Sequence, residues 1–284
     1  MLKQRVITAI VLLAILLPAL FHPAPQPFLV ITLVLIAAGG WEWGRLNGDS
    51  SGRALLAGGA CFLLCAGSWA LGWLQRPLPL LWLLAGAAWV LCGAWLLLRG
   101  VAGWPEIPRP VRWTGGVLAL WLAWLAMAQA RVLGVNFLLS VLVLVWVADI
   151  FAYFAGRAFG GRVMARKLAP SISPGKSWEG VWGGMAGVVA LAFVWWAADE
   201  FLRVSVPSLY SRLAGRGVWL LLLAVLFMAA MSVVGDLVES LVKRSAGVKD
   251  SSALLPGHGG VLDRVDALLP TLPLAMMLYS LSSI

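Results

Sequence analysis

The 284-residue chain is 62% hydrophobic and only 12% charged, with a mean hydropathy of +0.93, whereas an ordinary soluble domain carries about 25% charged residues. These values exclude a water-soluble globular core and set most of the surface against lipid or other helices. The formal net charge of +9 is accounted for by membrane topology and attraction to anionic headgroups, so no nucleic-acid partner is expected.

Nine apolar runs are long enough to cross a hydrocarbon core, at residues 6–21, 28–44, 54–74, 78–98, 114–130, 136–156, 181–198, 217–235 and 267–281. A span needs about 17–25 such residues. The runs are continuous rather than alternating in and out, which predicts an all-α polytopic membrane protein and not a barrel. Lys3 and Arg5 ahead of the first run imitate a secretory leader, but the length of that run and the closeness of the second favour a retained helix. With alternating crossings, sixteen of the 21 Lys and Arg residues fall on the side of the N-terminus and five on the other. This bias predicts a cytoplasmic N-terminus and a periplasmic C-terminus.

The chain divides into residues 1–135, five spans with little visible chemistry, and residues 136–284, four spans with cytoplasmic loops at 149–180 and 236–266. In the first part the cysteines Cys61, Cys65 and Cys92 lie in apolar runs with no metal-ligand spacing and read as buried small hydrophobes. The 17 tryptophans gather partly at span ends, where an amphipathic ring suits the headgroup zone. Glu42, in "WEWGRL", is an acid near membrane depth and so a functional candidate. At a helix end the bland reading is favoured, in which it reaches the interface or meets Arg45 one turn on.

The second part is different in kind. Seven of the twelve acids in the chain lie in its two loops: Asp149, Glu179, Asp236, Glu239, Asp250, Asp263 and Asp266. Asp149, Tyr153, Gly156 and Gly160 form one helical stripe, and the GxxxG pair within it reads as close helix packing. "SPGKSWEG" gives a turn at Pro174 and Gly175, an ammonium on Lys176 and a helix start near Ser177. Lys176 beside a helix N-terminus suits a phosphate, although one lysine is weak support.

Further on, Asp236, Ser240 and Lys243 share a helix face flanked by Glu239 and Arg244. The following loop returns Gly257, His258, Gly259, Gly260, Asp263, Arg264 and Asp266. Glycines there allow a backbone to approach a ligand with its N–H groups inward. Carboxylates alone repel phosphate and cations alone repel metal; together they suit a divalent ion bound to phosphates. An ion-pair network at the headgroup boundary would look the same, and spacing leaves both readings open.

Residues 240–266, "SLVKRSAGVKDSSALLPGHGGVLDRVD", resemble the signature of the bacterial phosphatidate cytidylyltransferases, also called CDP-diacylglycerol synthases. Ser240, Lys243, Arg244, Lys249, Asp250, Pro256, His258, Gly259, Gly260, Asp263, Arg264 and Asp266 fill its fixed positions. "DIFAYFAGRAFG" and "SPGKSWEG" are similar to two upstream motifs of that family, with Gly175 standing where a lysine is common. The recognisable portion runs from Asp149 to the C-terminus, and the first five spans resemble the family only in hydropathy.

The resemblance implies condensation of CTP with phosphatidate to CDP-diacylglycerol and pyrophosphate, at the cytoplasmic face of the bacterial inner membrane, by a homodimer. It implies Mg²⁺ held by Asp236 and Asp263, with a monovalent ion such as K⁺ beside it. Lys243, Arg244 and Arg264 would clamp phosphates, with Asp266 and Asp250 orienting those cations or completing the metal shell. Lys176, Ser240, Lys249, Gly259 and Gly260 would line the substrate site, and His258 would bond a phosphate or brace the turn. The rival readings are a CTP-dependent kinase of a lipid alcohol, which releases CDP instead of pyrophosphate, and a transporter, for which the sequence shows neither inverted repeats nor midplane charges.

Overall fold

In a computed structural model, which describes residues 2–282, every element is helical apart from isolated bridges in two loops. The long helices are α1 (Leu2–Phe21), α2 (Gln26–Leu46), α3 (Ser51–Ala70), α4 (Pro79–Gly103), α5 (Arg109–Leu133), α6 (Val135–Phe159) and α7 (Trp178–Leu202). A short α8 (Leu209–Ala214) precedes α9 (Val218–Ser245), and a four-residue α10 (Leu262–Val265) leads into α11 (Leu268–Ser282). Among the described residues nine helices are long and apolar enough to cross a membrane, α10 and α11 together forming the last. They match the nine predicted runs in order and position.

The helix boundaries follow from local chemistry. Pro sits in the first turn of α2, α4 and α5, where its missing N–H costs nothing. Ser50, Ser177 and Ser208 cap α3, α7 and α8 by accepting a first-turn N–H; Ser177 is the start expected from "SPGKSWEG".

Packing in lipid lacks a hydrophobic driving force between helices, so close backbone approach has to supply it. Along α6 and α7 the small residues do this: a Cβ on Gly184 would stand 2.8 Å from the Ala148 carbonyl oxygen, and one on Gly180 3.0 Å from that of Ala152. Gly156 of the GxxxG pair lies against Ser177 and Gly180, as the packing reading expects, while Gly160 caps α6. Cys61 and Cys65 are buried, but Cys92 is exposed on α4, so the burial expected for it fails. Trp82 and Trp124 lie wholly inside, and their indoles donate to Gln129 Oε1 (3.0 Å) and Thr32 Oγ1 (3.2 Å).

Several helix ends meet at one end of the bundle. Arg5 and Thr8 of α1 donate to the carbonyls of Gly257 and Pro256. Glu42 of α2 reaches the segment 251–262. Lys176, just ahead of α7, pairs with Asp236 of α9, and Arg244 at the end of α9 reaches the Ile172 carbonyl. The start of α10 and α11 and the end of α6 complete the cluster. At the opposite end Asp199 of α7 accepts from Asn136, the Ser208 N–H and Ser211, tying α6 and α8 together.

Replacing Gly184 with Leu drives a side chain into the α6 backbone and is expected to cost on the order of 1–3 kcal/mol. It should lower the detergent melting midpoint by several degrees, whereas Gly59→Ala, where a Cβ meets nothing within 4 Å, should leave it unchanged. Differential scanning fluorimetry of the two variants checks this.

Candidate active site

A cavity of about 420 Å³ opens at this end between α6, α7 and α9. Asp149, Tyr153, Gly156 and Arg157 of α6 form one wall. Gly175, Lys176 and Ser177 form a second, and Val233 and Asp236 of α9 a third. The glycines that let α6 and α7 close on each other, Gly156, Gly180 and Gly184, line it too. The space is open because no side chain fills it there.

Charges alternate at its edge. Lys176 Nζ lies 2.5 Å from Asp236 Oδ2, and the Ser240 hydroxyl donates to Asp236 Oδ1 at 3.3 Å. Asp149 and Asp266 both lie within the electrostatic reach of Asp236, and Asp149 also within that of Lys176. Two turns beyond Asp236 the ladder continues: Lys243 Nζ stands 2.6 Å from both Glu239 Oε2 and Asp263 Oδ1. Glu239 and Lys243 are almost wholly buried, so each needs the other's charge.

Asp263 does not line the cavity. Its Oδ1 takes Lys243, and its Oδ2 accepts from the Ser251 N–H (2.9 Å), the Ser251 hydroxyl (2.8 Å) and the Gly260 N–H (2.7 Å). Gly259, at φ +83°, and Gly260 leave room for these carboxylates: a Cβ on Gly260 would collide with Ser251 and Glu42. The Gly260 N–H therefore serves the loop itself and not an incoming anion. Arg264 donates twice to the His258 carbonyl, at 3.0 and 2.6 Å, and Arg244 to those of Ile172 and Val248. Both guanidinium groups brace loops. The Nδ1 of His258 is buried without a partner, while Lys249 and Asp250 are exposed on the loop. Asp266 Oδ1 accepts the Ala267 N–H at the start of α11.

Two residues prove more consequential than their sequence suggests. Glu179 is buried, and its Oε1 accepts the N–H groups of Gly161, Val163 and Met164, at 3.1, 3.1 and 2.9 Å, which folds the first loop onto α7. Glu42 neither reaches the interface nor meets Arg45. It is fully buried and accepts from Ser251, Ser252, Val261 and Leu262, while Arg45 lies over the Trp41 ring at 4.9 Å. The first five spans are thus not devoid of chemistry. Ser251 and Ser252 carried no sequence signal; Glu42 did, as an acid in an apolar run.

The model of the cytidylyltransferase family matches residues 3–282. The chain belongs to that family. The phosphatidate cytidylyltransferase of Pseudomonas aeruginosa is 39% identical over 284 aligned residues, covering 96% of this chain and 95% of the relative. That of Haemophilus influenzae is 38% identical, covering 98% and 99%, and that of Brucella abortus 35% identical, covering 100% and 94%. The likeness therefore includes the first five spans and is not confined to Asp149 onward. A cytidylyltransferase is a nucleotidyltransferase, so the chain is an enzyme of that class.

Hydrogen bonds to a charged acceptor are worth about 1.5–3 kcal/mol. Glu179→Ala should therefore speed amide exchange across 160–166 by roughly 10- to 100-fold, leaving the α9 core unchanged. Hydrogen–deuterium exchange by mass spectrometry checks it.

Proposed function

We infer that the protein condenses CTP with phosphatidate, yielding CDP-diacylglycerol and pyrophosphate for phospholipid synthesis. The observation that carries this reading is the Lys176–Asp236 pair on the wall of a cavity at the charged-loop end of α6 and α7, against α9, in a chain so similar along its length to proteins named phosphatidate cytidylyltransferase.

The phosphate oxygen of phosphatidate is already an anion, so no general base is required. It forms a bond to the α-phosphorus of CTP while the bond to the bridging oxygen breaks and pyrophosphate departs with the electron pair. The barrier is repulsion between anions and the charge that gathers on the leaving group. Lys176 and Arg157 face the cavity and would offset that charge. Lys243, fixed between Glu239 and Asp263 two turns further along α9, adds a positive charge beside that site.

Mg²⁺ is part of this proposal. The donor set fits it in one respect: an ammonium already sits against Asp236, with the Asp149 and Asp266 carboxylates nearby, and Mg²⁺ takes one or two carboxylates plus phosphate oxygens. Asp236 would hold the ion with Asp149 or Asp266, whereas the oxygens of Asp263 are filled by Lys243, Ser251 and Gly260. Bound there, the ion would neutralise phosphate charge and favour in-line geometry. The lysine and arginine bias supports a cytoplasmic site in a bacterial inner membrane, and a homodimer is the assembly implied by the family resemblance.

Purified protein in detergent, given phosphatidate and labelled CTP, is expected to release pyrophosphate and form CDP-diacylglycerol only with Mg²⁺. No product from phosphatidate, with release of CDP and phosphorylation of diacylglycerol supplied in its place, would overturn the reading in favour of a kinase. Asp236→Asn should lower turnover by about 10²-fold or more without loss of expression, and Asp263→Asn should do so by freeing Lys243. Near-normal product from Asp236→Asn would remove the metal assignment.

A further inference from the structure

We propose that Glu42 is a positioning residue of the reaction, a carboxylate of the second helix that fixes where Asp263 and Lys243 stand; this rests on the transferase reading above. Glu42 is fully buried. Its Oε1 accepts from the Ser252 hydroxyl and the Val261 N–H (2.9 Å), its Oε2 from the Leu262 N–H (2.8 Å) and the Ser251 hydroxyl (3.2 Å). Four donors on two oxygens require an acceptor-only carboxylate, since a glutamine presents one acceptor oxygen and two N–H groups.

The geometry passes from Glu42 to the charge ladder through two routes. The first is backbone: Val261 and Leu262 open the turn that carries Asp263, so holding their N–H groups sets the direction of that turn. The second is Ser251. Its hydroxyl lies 2.8 Å from Asp263 Oδ2 and 3.2 Å from Glu42 Oε2, with one proton to share, and its N–H also donates to Asp263. Asp263 then holds Lys243, which faces Glu239. Among the described residues Glu42 is the acceptor for the Val261 and Leu262 N–H groups and the Ser252 hydroxyl, and it shares only the Ser251 hydroxyl with Asp263, so the N-terminal spans supply a fixed point against which the signature segment folds. A misplacement of reacting groups by about 1 Å is worth roughly 10²-fold in rate.

Glu42→Gln, Glu42→Asp and Ser251→Ala are compared with wild type, each in detergent, with rates normalised to folded protein from size exclusion. Glu42→Gln is expected to lower kcat by about 10²-fold with the KM for CTP within about threefold, Glu42→Asp to recover at least part of that loss, and Ser251→Ala to lower kcat with the fold intact. A loss that merely tracks the folded fraction, or wild-type kcat in both Glu42→Gln and Ser251→Ala, overturns the proposal. Should Glu42→Gln fail to fold, Ser251→Ala decides: a reduced kcat supports the proposal and a wild-type kcat overturns it. Amide exchange over 250–266 supplies a readout free of turnover. It should accelerate in Glu42→Gln while 160–166 stays unchanged, and unchanged exchange at 250–266 overturns the proposal. Wild-type protein that forms no CDP-diacylglycerol would sink the transferase reading, while the exchange result would still stand or fall by itself.

Discussion

Irregular backbone at the edge of a lipid-embedded bundle has to find partners for its N–H groups, and in this protein buried carboxylates provide them. Polar groups left without partners away from water cost free energy on the order of a few kcal/mol each. Glu179 gathers three N–H groups of the first loop, Glu42 two N–H groups and two hydroxyls of the second, and Asp263 two N–H groups, a hydroxyl and a lysine. Asp199 does the same at the far end. Each carboxylate would be costly alone, and each loop would be unsatisfied alone. Their combination is what makes non-helical chain tolerable beside the membrane.

The same pairing shapes the candidate site. The loops fold onto Glu42 and Glu179, so Lys176, Asp236, Lys243 and Asp263 are left as a ladder of alternating sign rather than a scatter of surface charges. Small residues on α6 and α7 bring the helices close and leave a cavity at their ends. Packing and cavity are thus the same feature: the glycines that allow the approach also leave the open space. The cations that face this space, Lys176 and Arg157, are separate from Arg244 and Arg264, which brace carbonyls.

Part of the cavity lining was legible one residue at a time. Lys176 and Asp236 stand on the cavity wall, and Asp149, Tyr153 and Gly156 share it as one stripe. Other assignments were not legible. Glu42 looked like a terminal charge able to reach water, because its partners lie 209 to 220 residues away along the chain. Gly259 and Gly260 looked like a cradle for an anion, and instead they make room for Asp263, Ser251 and Glu42. A pattern of glycines specifies closeness of approach without saying what approaches.

Hydropathy and helix signals are local, set by the water-to-lipid transfer of neighbouring side chains and by first-turn N–H groups. The sequence by itself therefore determined nine spans, their order, the start of α7 at Ser177 and the two charged loops. Which carboxylate faces the cavity and which is consumed inside a loop depends on pairing across spans. Ion pairs and hydrogen bonds fall off within a few ångströms, and only the folded bundle brings α2, α9 and α10 within that range. Tertiary structure alone decided that Asp236 lies open to the cavity, that Asp263 holds Lys243, and that the second helix anchors both.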